Sequence, residues 1–167
     1  MSIYDTLRNN LEYRNGELYW KEKPVGFSGH WDMRKPAGGI SGSKGYRYIS
    51  VFGKKRRYHR MVFLYHHGYL PESPFVIDHI DGDVTNNTIE NLRVASYSQN
   101  QANAGLQKNN TSGGKNVYWH ESRGKWQVVV SANNKRHYGG YFTNKNDAIT
   151  KAIQLRDQLH GEFANHG

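Results

Sequence analysis

Apolar positions recur with two different periods along the chain, and the change of period divides it. Toward the N-terminus they come in short bursts between turn residues. Leu18-Tyr19-Trp20 follows Asn15-Gly16, a dipeptide suited to the left-handed turn of a tight hairpin, and predicts a short β-hairpin. The stretch from Gly26 to Gly45 is dense in glycine, holds Pro36 and predicts a long loop or several short hairpins. Residues 46–51 alternate as a strand does, and a turn at Gly53 leads into Lys54-Lys55-Arg56-Arg57. Residues 59–67 form an apolar run that predicts a short helix ending at Gly68, and Pro71 and Pro74 bar its continuation. Phe75-Val76-Ile77 and residues 92–95 are strand signals flanking a polar loop, 81–90. Ser96 is placed to N-cap a helix through about Ala104.

Residues 107–115 are polar and glycine-containing, and read as a linker. Three strand-like runs follow, at 117–119, 125–131 and 136–142. Thr143-Asn144 then opens a helix in which Ala148, Ala152, Leu155 and Leu159 fall on one face, with Gly161 at its C-cap. There is no internal repeat. The expected class is α+β: an N-terminal region, 1–106, then the linker, then a small sheet-and-helix domain, 116–164.

Composition narrows the function. The chain has 167 residues and no cysteine, which excludes disulfides, thiolate zinc, iron–sulfur clusters and a cysteine nucleophile. No apolar run approaches the roughly 20 residues that span a bilayer. Residues 1–5 lack a basic region followed by an apolar one, so a cytoplasmic protein is expected, in the host cell if phage-encoded. Mean hydropathy is −0.89, but aromatics make up 13% of the chain, which argues for a folded protein. The net charge of +9 points to a polyanionic partner, with nucleic acid first. That charge is uneven: +7 over residues 1–75, −2 over 76–110 and +4 over 111–167. An acidic segment bracketed by basic ones suits a nuclease that holds phosphates on its flanks and a metal at its centre.

The acidic segment carries Asp78-His79-Ile80-Asp81-Gly82-Asp83, then Asn86, Asn87, Asn91-Leu92-Arg93 and Asn100. His79 is its only histidine and titrates near neutrality, which suits a general base. Asp78 and His79 are strand neighbours and would face opposite ways, unless Asp78 reaches a metal from the strand end. A carboxylate and amide donor set favours magnesium or manganese over zinc. A calcium loop starting at Asp78 is rejected because Ile80 stands where a ligand is needed. Asp81 and Asp83 read as turn formers, and Asn86 and Asn87 as loop caps. His59 is either close to the phosphate or a structural histidine at a helix start. His66 and His67 fit a helix end better than a metal.

Across roughly 57–104 the chain resembles the HNH endonucleases, in the variant whose last histidine is asparagine, found in phage and intron homing enzymes. Arg57-Tyr58-His59-Arg60 ahead of the apolar helix fits that variant. The resemblance implies a ββα-metal core, a two-stranded hairpin and a helix clasping one divalent metal. By it, Asp78 and Asn100 would ligate the metal and His79 would deprotonate water. Asn91 would hold the loop and orient the His79 ring, and the products would carry 5′-phosphate and 3′-hydroxyl ends.

Residues 112–164 resemble the Apetala/ethylene-response-factor DNA-binding domain. The resemblance rests on Asn116-Val117-Tyr118, Gly124-Lys125-Trp126, Gly140-Tyr141-Phe142 and the final helix. That family often has arginine where Tyr118 stands here. A sheet face of Trp119, Arg123, Lys125, Trp126, Lys135, Arg136 and Tyr138 would meet double-stranded DNA, or Trp126 would be core. Lys54, Lys55, Arg56 and Arg57 are candidate backbone-phosphate contacts. Trp20, Trp31, Tyr46 and Tyr48 read as core. The expected enzyme is a monomer or homodimer. A non-catalytic DNA-binding regulator, an RNA-directed nuclease and a nonspecific toxin-like nuclease stay open as alternatives.

Overall fold

The computed structural model describes residues 1–26, 32–43 and 45–167, so the expected core role of Trp31 lies outside the described residues. The chain divides into two compact units, Met1–Val94 and Ala95–Gly167.

The first unit opens with a helix that the turn-rich reading of this region missed, α1 (Ile3–Asn10). Its start is set by a capping box, in which Ser2 and Asp5 each accept from the other's backbone N–H. The hairpin β1 (Leu11–Arg14) and β2 (Glu17–Trp20) follows, with Asn15 and Gly16 both at positive φ as the turn requires. Next come β3 (Gly39–Ile40), β4 (Arg47–Val51) and β5 (Lys54–Arg57), an antiparallel sheet in that order. Helix α2 (Tyr58–His67) runs straight on from β5 and ends at Gly68 in the left-handed conformation. It is the centre of the unit: Tyr58, Met61, Val62, Phe63 and Leu64 are buried with Leu7, Leu11, Leu18, Ile49 and Val51. Trp20 packs against this core as expected.

Strands β6 (Phe75–His79) and β7 (Leu92–Ser96) form a two-stranded sheet. β6 runs two residues beyond the expected Ile77, so Asp78 and His79 are part of the strand. A short 3-10 turn, Ile89–Asn91, leads into β7.

The second unit holds α3 (Tyr97–Asn103), capped by Ser96 with Gln99 in a second capping box. Residues 107–115 contain a tight polar turn rather than open chain. Asn110 accepts from the Gly113 N–H, and buried Ser112 bonds Gly114. The strands β8 (Val117–His120), β9 (Lys125–Ala132) and β10 (Lys135–Phe142) form an antiparallel sheet with β9 central. Helix α4 (Lys145–His160) covers one face, and Ala148 and Ala152 are fully buried against Val117 and Val128. Among the described residues no helix is long and apolar enough to cross a membrane.

Candidate active site

The loop from 80 to 91 holds three apolar residues, Ile80, Val84 and Ile89, and is closed mainly by side-chain hydrogen bonds. Asn91 is its keystone. Its Oδ1 accepts from the Asp81 N–H at 3.1 Å, and its Nδ2 donates to Asp81 Oδ1 at 2.9 Å and to the Asn86 carbonyl at 2.8 Å. Asp81 also accepts from the Asp83 N–H and from Asn86 Nδ2, and these bonds hold its carboxyl below the usual range despite partial burial. Asp83 accepts from the backbone and hydroxyl of Thr85. The turn-former reading of Asp81 and Asp83 and the loop-holding reading of Asn91 match this geometry.

The first hairpin braces the same loop. Tyr13 Oη accepts from the Ile89 N–H at 3.1 Å. Gly16 lies so near Thr88 that a Cβ there would meet Thr88 Cγ2 at 2.7 Å. No sequence signal tied the N-terminus to this loop, because the contact spans more than seventy residues.

His79 is 5% exposed. Its Nε2 lies 3.1 Å from Asn87 Oδ1, so Asn87 touches the ring where Asn91 was expected to. Asn87 Nδ2 donates to the Thr85 carbonyl at 2.9 Å, which fixes the amide orientation. An amide oxygen only accepts, so this contact favours the tautomer with the hydrogen on Nε2.

His59, the first-turn histidine of α2, is 4% exposed. Its ring meets that of His79 edge-on, with centroids 4.9 Å apart. Burial, reinforced by His79, Arg57 and Arg60, drives its pKa from the usual 6.5 down to about 3. His59 is therefore neutral at physiological pH. Tyr46, expected as core, is half-buried and leans on both rings, at 5.8 Å from His59 and 6.5 Å from His79.

The basic strand β5 points toward this cluster. Arg57 lies over Tyr46 at 4.7 Å and Lys55 over Tyr48 at 4.5 Å. Lys54, Lys55 and Arg57 are exposed, but Arg56 is half-buried and its Nε has no hydrogen-bond partner. The four cations thus do not form one uniform patch: alternation along the strand turns Arg56 away from Lys55 and Arg57.

Asp78 is also buried, and its Oδ2 accepts from Arg93 Nε at 3.1 Å across the β6–β7 sheet. Arg93 had no expected role; its adjacency to Asn91 and Leu92 gave no hint of this pairing. Asp78 and His79 thus turn to different partners, as neighbours on a regular strand must. Asn100 is exposed on α3, in the second unit.

Among the described residues no group of three or more His, Cys, Asp or Glu side chains could hold a metal ion. The expected donors contain just one such residue, Asp78, with Asn100 as an amide. A single buried carboxylate fits magnesium, which keeps most of its waters and leans on substrate phosphate. It does not fit zinc, which wants a closed set of nitrogen or sulfur ligands.

In the second unit the strand register corrects the expected DNA face. Val117 pairs Val128, and Trp119 pairs Trp126, which pairs Phe142, so both tryptophans lie on the α4 side. Trp126 packs against the core there, with Trp119 edge-on at 5.1 Å. Lys135, opposite Ala132, shares that side. The open face carries Tyr118, Lys125, Gln127, Arg136, Tyr138 and Tyr141, and Arg123 lies 4.6 Å over the Tyr141 ring. Of the expected face, Lys125, Arg136, Tyr138 and Arg123 remain.

Residues 56–102 match a family described as HNH endonuclease. A curated relative, Protein 3.8 of Escherichia phage T7, is 35% identical over 115 residues, which span 68% of this chain and 92% of that protein. No solved structure matches the chain.

Proposed function

The chain belongs to the HNH endonuclease family, with a phage relative, and from that premise we propose a metal-dependent DNA endonuclease of homing type with His79 as general base. The observation that carries the reading is the buried His79 ring, met at Nε2 by Asn87, within the family-matched segment.

In this reading His79 takes the proton of the attacking water. Asn87 fixes the tautomer, and neutral His59 supports the ring without adding positive charge that would oppose protonation of His79. Asp78 and Asn100 would hold magnesium or manganese in a ββα-metal core, and Arg93 steadies the Asp78 carboxylate. The ion, when bound, supplies Lewis-acid stabilisation of charge on the phosphate and the leaving 3′ oxygen. Lys55 and Arg57 hold flanking phosphates, with a salt-dependent gain in affinity. The open sheet face, with Arg123, Lys125 and Arg136, is a second DNA contact. One site per chain makes nicking the natural outcome for a monomer.

The test is relaxation of supercoiled plasmid by wild type and His79→Ala, with magnesium, manganese or chelator. We expect metal-dependent nicking that falls about a thousandfold in His79→Ala, the range of a lost general base, with DNA affinity kept within about twofold. Equal loss of binding and cleavage would remove His79 from the base role. No cleavage under any condition, with tight salt-sensitive binding, would favour a DNA-binding regulator.

A further inference from the structure

The open face of the β8–β10 sheet is built around exposed rings. Tyr118 on β8 and Tyr138 and Tyr141 on β10 stand on it, at 51%, 66% and 38% exposure. A β-bulge puts the last two there together. Tyr138 pairs Val129 and Tyr141 pairs Gln127, so three steps along β10 match two along β9. Residues three apart on a regular strand face opposite ways, and the extra residue brings Tyr141 round to the side of Tyr138. Two glycines make the bulge. A Cβ on Gly139 would meet Val128 Cγ1 at 2.6 Å, and Gly140 has φ at +111°.

The surroundings of these rings suit a polyanion. Lys125, Gln127, Ser131 and Arg136 share the face, and the three strands hold no Asp or Glu. Free edge-reading groups are scarce. Base pairs in a duplex are read at their edges, chiefly by Arg, Lys, Asn and Gln. Here Gln127 Nε2 donates to Tyr141 Oη at 2.9 Å, and the Arg123 guanidinium lies over the Tyr141 ring at 4.6 Å. Exposed aromatic rings engage bases through the ring face, which stacking inside a duplex closes off. Rings set among cations therefore fit bases that are unpaired.

We propose that this sheet face binds an unpaired stretch of DNA, with bases stacking on Tyr118 and Tyr138 and the phosphates between them held by Lys125 and Arg136. Tyr141, fixed by Arg123 and Gln127, braces the platform. The proposal takes from the reading above that the chain acts on DNA, and narrows the substrate to DNA with a gap, a fork or a melted segment.

The experiment is a fluorescence-anisotropy titration of the full chain, with chelator present so that no strand is cut. The probes are a mixed-sequence single strand of DNA, a strand of the same length made of abasic sites, and the matching duplex. Wild type is compared with Tyr118→Ala, Tyr138→Ala, the double alanine variant and the double phenylalanine variant. All these positions are exposed, so the substitutions leave the core intact. Wild type should bind the intact single strand about tenfold or more tighter than the abasic one, because stacking adds to the backbone contacts. Each alanine should weaken single-strand binding about fivefold, and the pair about 25-fold, with a smaller loss on the duplex. The double phenylalanine variant keeps the rings and should bind as wild type does. Equal losses on duplex and single strand would make the face a duplex contact and overturn the proposal. So would an abasic strand held as tightly as the intact one, or phenylalanine variants as weak as the alanine ones. Cleavage does not enter the readout. A chain that discriminates the probes but cuts no plasmid would keep this site and lose the nuclease reading, and a chain that cuts through His79 without discriminating them would do the reverse.

Discussion

The two units are held together by different kinds of interior. The first buries large side chains on every side of α2: Leu7, Leu11, Leu18, Tyr58 and Met61 are at most 2% exposed. The second buries mostly small ones, Val117, Val128, Val130, Ala148 and Ala152, with Phe163 the largest buried apolar group and Trp126, Phe142, Ile149 and Leu155 only partly covered. It adds Arg156, the largest fully buried side chain among the described residues, whose bonds run to the Lys115 carbonyl, Asn116 Oδ1 and His166 Nδ1. A core of large apolar groups fails by leaving a cavity. An interior braced by a buried cation fails by leaving carbonyls unsatisfied. The first loss scales with volume and the second with the number of orphaned groups.

That contrast can be broken from either side. Leu18→Ala should cost about 4 kcal/mol, with protection lost across α1, α2 and β1–β2 in native-state hydrogen exchange, while β8–β10 keep theirs. Arg156→Met should cost about 3 kcal/mol, with the loss confined to the second unit, because the Lys115 carbonyl and its neighbours lose their donor. Loss of protection in both units from either substitution would mean that the interiors are not separate.

Acid separates them next. The pKa of His59 is depressed in the folded chain, so the unfolded chain binds the proton first. Its contribution to stability is complete above pH 6.5 and drains away as pH falls toward 3. By pH 4 the loss should be on the order of 3 kcal/mol and should fall on the first unit. Denaturant unfolding of wild type and His59→Gln across this range measures it, and an equal acid slope in both proteins would assign the loss elsewhere. The smallest effect belongs to the open sheet face. Tyr138→Ala, at a residue 66% exposed, should change stability by less than about 0.5 kcal/mol and weaken DNA binding several-fold in a gel-shift titration.

Local signals in the sequence carried most of the elements. Asn15-Gly16, Gly68, Ser96 and the alanine spacing of α4 each mark a boundary through the backbone of a few residues, and each element formed there. Helix α1 was legible too, since Ser2 and Asp5 spell a capping box, but its short apolar pattern hid it. The long-range contacts of the site were not legible. His59 and His79 are twenty residues apart, and only the packing of α2 beside the end of β6 brings the rings together. The Asp78–Arg93 pair depends on how β6 and β7 pair, and the side assignment of Trp119, Trp126 and Lys135 on the β8–β10 register. One residue of register decides which face a side chain takes, and composition does not encode it.

The hydrogen-bonded loop from 80 to 91 has a consequence for how the reaction responds to temperature. Asp81, Asp83, Asn86, Asn87 and Asn91 fix each other before any substrate arrives, and Asn87 passes that order to the His79 ring. The entropy of ordering this segment is lost once, when the chain folds, and does not recur at each turnover. For the cleavage proposed at His79, ordering of this loop should then add nothing to the activation entropy. In an Eyring plot for cleavage, loosening the loop at Asn87 should show as a more negative activation entropy than wild type at little change in enthalpy.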